Sequence, residues 1–164
     1  HFIQELAEYE REPNAVETTD AMLHDALFGA TPAAEALIAA RDGKPVGFAL
    51  FFHTFSTWAG RRGLWLEDLY VTPEARGSGA GAALLRALAG IAIDRDCARL
   101  EWTVLDWNTP AIDFYRAKGA LPQDEWTTQR VSGAALRRLA ERSDGVVLPD
   151  RSRGRSRTTR APSR

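Results

Sequence analysis

The 164-residue sequence predicts a single α/β domain with a mixed, mostly antiparallel central sheet flanked by helices. Three observations carry that expectation. Residues 36–41 and 46–55 read as two strands joined by the Asp42-Gly43 turn, a hairpin signature. Residues 64–71 read as a further strand that passes Pro73 and opens through Gly77, Gly79 and Gly81 into a helix. Apolar residues at helical spacing precede and follow these strands.

In chain order, Phe2, Ile3, Leu6, Ala7 and Tyr9 suit the buried side of a first helix that Pro13 ends by position 12. Thr18 or Thr19 can cap a second helix, with Asp20 in its first turn and Gly29 and Pro32 as stops. In the second hairpin strand Phe48, Leu50, Phe51, Phe52 and Phe55 are too continuous for a half-exposed strand, so both faces should be covered. Residues 56–63 form a long turn carrying Trp58.

Side-chain alternation along 64–71 then puts Leu64, Leu66, Asp68 and Tyr70 on one face. Trp65, Glu67, Leu69 and Val71 fall on the other. The helix over 82–93 is apolar all round and should be well buried. A strand over 100–105 follows, then a helix opened by Asn108, Thr109 and Pro110 and closed at Gly119. A last strand over 126–131 and a last helix over 134–142, capped by Ser132, complete the domain. We place the domain at residues 1–142 and read 143–164 as a disordered Arg- and Ser-rich tail, because large apolar residues vanish after Leu148.

An apolar content of 45% with 26% charged residues suits a chain that folds around its own core. The net charge of −1 conceals an asymmetry: residues 1–141 hold 14 Lys and Arg against 20 Asp and Glu, and residues 142–164 hold 7 Arg against 2 Asp. An acidic body favours cationic partners, while the basic tail is the one place with weak affinity for nucleic acid by charge. Cys97 is the only cysteine, which excludes an internal disulfide and a cysteine-based zinc site and suits a cytoplasmic protein. No apolar run reaches membrane-spanning length, so no membrane partner is expected, and no metal is implied.

Glycines at a helix start let a ligand approach the backbone, and the free amides and helix dipole there favour an anion. A nucleoside triphosphate is a poor fit, since no lysine follows the glycines at the required spacing. Gly77-x-Gly79-x-x-Ala82 fits a dinucleotide fingerprint, with Glu101 beyond it, but five residues intervene between strand and glycines. Coenzyme A is the third candidate. Glu67 and Asp68 lie one strand upstream, beside the anion site, and suit a cation.

Arg76-Gly77-Ser78-Gly79-Ala80-Gly81 matches the R/Q-x-x-G-x-G/A signature of the GNAT acetyltransferases. Further stretches extend the likeness: L-A-E-Y-E at 6–10, S-T-W-A-G-R at 56–61, L-E-D-L-Y-V at 66–71, V-L-D-W-N at 104–108 and A-I-D-F-Y at 111–115. Taken together, the chain resembles the diamine N-acetyltransferases, the spermidine/spermine and thialysine branch, over residues 6 to about 140.

That resemblance implies the GNAT (acyl-CoA N-acyltransferase) fold, acetyl-CoA as acetyl donor and a small cationic amine as acceptor. It implies cofactor contacts at Leu69, Tyr70 and Val71 through the strand backbone, and at Arg76, Gly77, Ser78, Gly79, Ala80, Gly81 and Ala82 for the pyrophosphate. Asn108, Pro110 and Ala111 match further cofactor positions. Tyr115, which otherwise reads as a packing partner of Phe114, matches the general acid for the departing thiolate. Glu67 matches the carboxylate that binds the amine and takes its proton, and Asp68 a second acidic contact. Tyr9, Glu10, Glu101, Trp102 and Thr103 match substrate-side positions, as does Trp58, whose ring face suits an ammonium. Glu125 is a weaker match, because the spacing after Gly119 departs from the family.

The resemblance also implies a homodimer. Two departures accompany it: the family's first strand, ahead of the first helix, is missing, and the Arg-rich tail is extra. The missing strand leaves an expectation of a trimmed chain or of reduced stability. Two alternatives stay open, an acetyltransferase for another amine and a non-catalytic acyl-CoA-binding module.

Overall fold

A computed structural model describes residues 1–141. Residues up to Ala117 make one compact unit, and the chain from Lys118 makes a second. The first unit begins with helix α1 (Phe2–Tyr9) and helix α2 (Asp20–Phe28), the latter capped by Thr19, whose side chain accepts from the Met22 amide. Strands β1 (Glu35–Arg41), β2 (Lys44–Ser56) and β3 (Arg61–Val71) follow as an antiparallel meander. Asp42 and Gly43 both take positive φ, the geometry a two-residue hairpin requires. A 3-10 turn (Pro73–Ala75) leads to helix α3 (Ala80–Asp94), strand β4 (Leu100–Glu101) and helix α4 (Thr109–Arg116). The second unit holds helix α5 (Gly133–Ala140). The expected disordered tail lies outside the described residues.

The sheet runs β1-β2-β3-β4, with β4 parallel to β3. Its core side packs Ala49, Phe51, Leu64 and Leu66 against Leu84, Leu85, Leu88 and Ala92 of α3. Each fully buried leucine there contributes about 2 kcal/mol. On the opposite side Phe2 of α1 stacks on Phe48, with ring centroids 5.9 Å apart, and tilts against Tyr70 at 6.0 Å. Helices therefore pack on both faces of a mixed sheet, but Phe55, expected to be covered, is exposed near the hairpin end of β2.

Four further expectations are corrected. Between Leu50 and Phe51 the register slips: Leu50 opposes Asp68 but Phe51 opposes Leu66, so Glu67 is the extra residue of a β-bulge. Simple alternation therefore fails beyond Leu66. Leu69 and Val71 join Leu64 and Leu66 on the core side, while Trp65, Asp68 and Tyr70 share the other.

The strand over 100–105 shrinks to Leu100–Glu101, because only Leu64 and Trp65 pair with it before the chains splay. Residues 126–131 form no strand; β-propensity without a paired partner builds no ladder. Helix α3 is buried along one stripe only, Leu84, Leu85, Leu88 and Ala92, with Ile93 exposed. Alanine and glycine fill much of its other side and need no burial.

Candidate active site

A cleft of about 750 Å³ opens where β3 and β4 part. Its floor is the far half of β3. The Thr72 amide donates to the Val46 carbonyl at 3.0 Å, and backbone direction alternates along a strand, so Leu69 and Val71 turn their N–H and C=O groups away from β2. With β4 paired only as far as Trp65, that edge of β3 faces the cleft as an unpaired strand edge. Arg76 Nε already donates to the Val71 carbonyl at 3.1 Å.

One end of the cleft suits an anion. Gly77 and Gly79 take φ of 75° and 91°, left-handed values that side chains resist, and they turn the loop so that α3 begins at the cleft. Gly79 caps α3 with no side-chain bond, leaving the first-turn amides of Ala80, Gly81 and Ala82 without intrahelical partners. Gly77, Gly79, Ala80, Gly81 and Ala82 all line the cleft, as do Asn108, Pro110 and Ala111 from the start of α4. Ser78 does not; its hydroxyl turns back to donate to the Ala75 carbonyl at 2.6 Å.

The other end is acidic. The bulge brings Glu67 and Asp68, neighbours that a regular strand would point to opposite faces, out on the same side. Trp65, on the face of Asp68, donates its indole N–H to Glu67 at 2.9 Å. Burial, with the charges of Glu67 and Glu10 added, pushes the Asp68 carboxyl up to about 6. Burial also raises Glu10.

Tyr115 of α4 packs its ring 4.9 Å from that of Trp102 and 5.3 Å from that of Phe114. Its phenol is pushed up to about 12 by burial first, then by the charges of Glu10 and Tyr9. Tyr9 and Glu10 sit at the end of α1, and Tyr9 donates to Oδ1 of Asn108 at 2.9 Å. Asn108 is buried, and the same oxygen accepts the Ala111 amide, capping α4. Thr103 lines the cleft beside Trp102.

Three substrate-side candidates do not line this cleft. Trp58 is 93% exposed at the tip of the β2–β3 hairpin, about 20 Å along β3 from Glu67 at 3.3 Å per residue. Glu101 is the last paired residue of β4, engaged by Arg99 Nε at 2.6 Å, and does not line the cleft. Glu125 is exposed in the second unit. Leu6, Leu66, Ala75, Val104, Leu105 and Phe114 line the cleft without having been singled out. Val104 and Leu105 had a signal, lying in V-L-D-W-N, but an expected strand pairing hid their position.

The family model for the acetyltransferase (GNAT) family matches residues 2–120. The chain belongs to the GNAT acetyltransferase family. It is 40% identical over 150 residues to a thialysine N-epsilon-acetyltransferase of Bos taurus, covering 85% of this chain and 88% of that protein. A spermidine/spermine N(1)-acetyltransferase-like protein of Homo sapiens is 40% identical over 127 residues, covering 73% of this chain and 18% of the human one. Among solved structures, an integron cassette protein from V. cholerae superposes with a TM-score of 0.72 at 32% identity, over 86% of this chain and 88% of that one. This GNAT protein is thus an acetyltransferase enzyme, which sets aside the non-catalytic reading. Among the described residues no helix is long and apolar enough to cross a membrane.

Proposed function

We propose that this GNAT enzyme transfers acetyl from acetyl-CoA to a primary amine of a small cationic acceptor, a diamine, polyamine or thialysine-like amino acid, by direct attack in a ternary complex. One observation carries the reading: a single cleft joins a glycine-lined helix start, an open strand edge and an acidic end beside a tyrosine. The glycine loop and first turn of α3 would hold the pyrophosphate, and the edge at Leu69 and Val71 would pair with the amide arm of the cofactor. Acetyl-CoA supplies the thioester.

The acceptor arrives as an ammonium. At a pKa of about 10.4, only about one molecule in 2,500 is neutral at pH 7, a deficit of about 4.6 kcal/mol. Glu67 and Asp68 draw the cation in, and one of them takes its proton, directly or through water. The nitrogen lone pair attacks the carbonyl carbon and the C–S bond breaks. Tyr115, still protonated at any working pH, donates to the sulfur as charge develops there. A phenol near 12 gives its proton to a thiolate near 8.5 only if it is restored, and the second proton lost by nitrogen on amide formation restores it. Carboxylates at Glu10, Glu67 and Asp68 favour a cationic acceptor over a neutral one.

On this reading the enzyme works in the cytoplasm as a homodimer, as the lone Cys97 and the resemblance suggest. The test is release of CoA from acetyl-CoA across spermidine, putrescine, lysine and thialysine. Release with the cationic amines is expected, and no release with any of them would overturn the proposal.

A further inference from the structure

Arg11 sits in a backbone conformation that arginine resists. Its φ is 67°, in the left-handed region. The Glu12 amide donates to the Ala7 carbonyl at 2.9 Å and the Arg11 amide to the Glu8 carbonyl at 3.1 Å. Those two bonds make a Schellman motif ending α1, with Arg11 at the position glycine usually fills. A side chain that keeps such a place against its backbone preference needs a compensating contact, and a strained residue beside a functional site points to a role there.

The Arg11 guanidinium lies over the Trp107 ring, 4.5 Å from its centroid. Trp107 tilts against Tyr9 at 6.2 Å. The Arg76 guanidinium, at the entry to the glycine loop, lies 4.7 Å from the centroid of the Tyr9 ring and 5.9 Å from that of Tyr70. The series Arg11, Trp107, Tyr9, Arg76 and Tyr70 thus clasps the end of α1 onto the segment before α4 and onto the glycine loop. Neither Arg11 nor Trp107 lines the cleft, whereas Tyr9 and Glu10 do.

We propose that Arg11, acting through Trp107, is a positioning residue that holds Tyr9 and Glu10 at the acceptor end of the cleft. The proposal rests on the acceptor assignment above, and its sign separates positioning from charge. Arg11 is a cation near an acidic end, so by charge alone its removal would draw a cationic acceptor in more strongly. By position, its removal loosens the rim and weakens acceptor binding.

The experiment compares Arg11→Gly, Arg11→Lys and Trp107→Leu in steady-state assays with acetyl-CoA and either spermidine or thialysine. Arg11→Gly should leave Tm within about 2 °C of the parent, since glycine's ease in the left-handed position offsets the lost cation–ring contact. The same variant should raise acceptor KM about fivefold while kcat and the KM for acetyl-CoA stay within about twofold. Arg11→Lys keeps a cation over the ring and should hold acceptor KM within about twofold of the parent. Trp107→Leu should match Arg11→Gly in acceptor KM, and the double variant should be no worse than either.

An acceptor KM that is unchanged or lower in Arg11→Gly overturns the proposal. Amide exchange over residues 105–112 reads the same clasp without turnover: faster exchange in Arg11→Gly, at nearly unchanged Tm, is expected, and unchanged exchange overturns the clasp. Absence of turnover in the parent protein would instead overturn the acceptor assignment, and the exchange result would still decide the clasp.

Discussion

The indole of Trp65 donates to the carboxylate of Glu67 at 2.9 Å, tying the one bulged residue of β3 to the same side of the sheet as Asp68. Bulges re-aim side chains, and this one lets two sequence neighbours, Glu67 and Asp68, line one cleft from the same side. Glu67→Gln keeps an acceptor oxygen for Trp65 while removing the charge. Acceptor KM should rise about tenfold, the value of about 1.4 kcal/mol expected for losing one partly screened ion contact, with Tm unchanged. Steady-state kinetics over a pH series checks it, and an unaltered profile with unaltered KM would remove Glu67 from the acceptor site.

Asp68, pushed up to about 6 from an ordinary value of 3.8, should write itself into two pH profiles. In the proposed reaction its charge attracts the amine, so kcat/KM for the acceptor should fall as pH drops through about 6, and this limb should vanish in Asp68→Asn. Stability should move the other way. Because the folded state holds the proton more tightly than the unfolded one, Asp68 costs nothing below about pH 4, and the penalty grows between about 4 and 6 and persists above. Asp68→Asn should therefore stabilise the protein by about 2 kcal/mol at pH 8, after discount for partial exposure, and by almost nothing at pH 4. Urea midpoints at the two pH values decide it.

Tyr115→Phe removes the only hydroxyl of the Trp102–Tyr115–Phe114 ring cluster and little packing. A drop in kcat of about 100-fold is expected, with acetyl-CoA affinity within about twofold by calorimetry. Unchanged kcat would leave Tyr115 a packing residue.

Gly47→Ala tests how closely the two long strands approach beside the cleft. A Cβ at Gly47 would stand 2.5 Å from the Tyr70 carbonyl oxygen and 3.1 Å from Val71 Cα, both backbone contacts that cannot swing aside. A loss of about 3 kcal/mol in unfolding free energy is expected, together with a raised KM for acetyl-CoA as the Tyr70–Val71 edge shifts. Chemical denaturation and initial rates measure both.

Much of this enzyme was legible along the chain. Helix starts at Thr19 and Asn108, the Asp42-Gly43 turn and the glycine loop from Gly77 to Gly81 are signalled by residues within a turn or two of where they act, and so are readable locally. The nearness of Glu67 and Asp68 to an anion site was readable for the same reason. Their shared face was not, because the slip between Leu50 and Phe51 is a property of two strands pairing, and alternation within one strand says nothing of it. Likewise Val104 and Leu105 carried strand-like sequence, but only the splay of β3 from β4 decides that they wall a cleft.

By itself, then, the sequence determined the order of elements as far as α4, the anion-favouring helix start and the residue types from which acetyl transfer can be built. Only the tertiary structure decided that Tyr115, 48 residues beyond Glu67, comes back to the same cleft, and that Ser78, Glu101 and Trp58 stand outside it. The reason is physical: capping and turn energies act over a few residues, whereas register, splay and burial are settled by contacts between segments far apart in the chain.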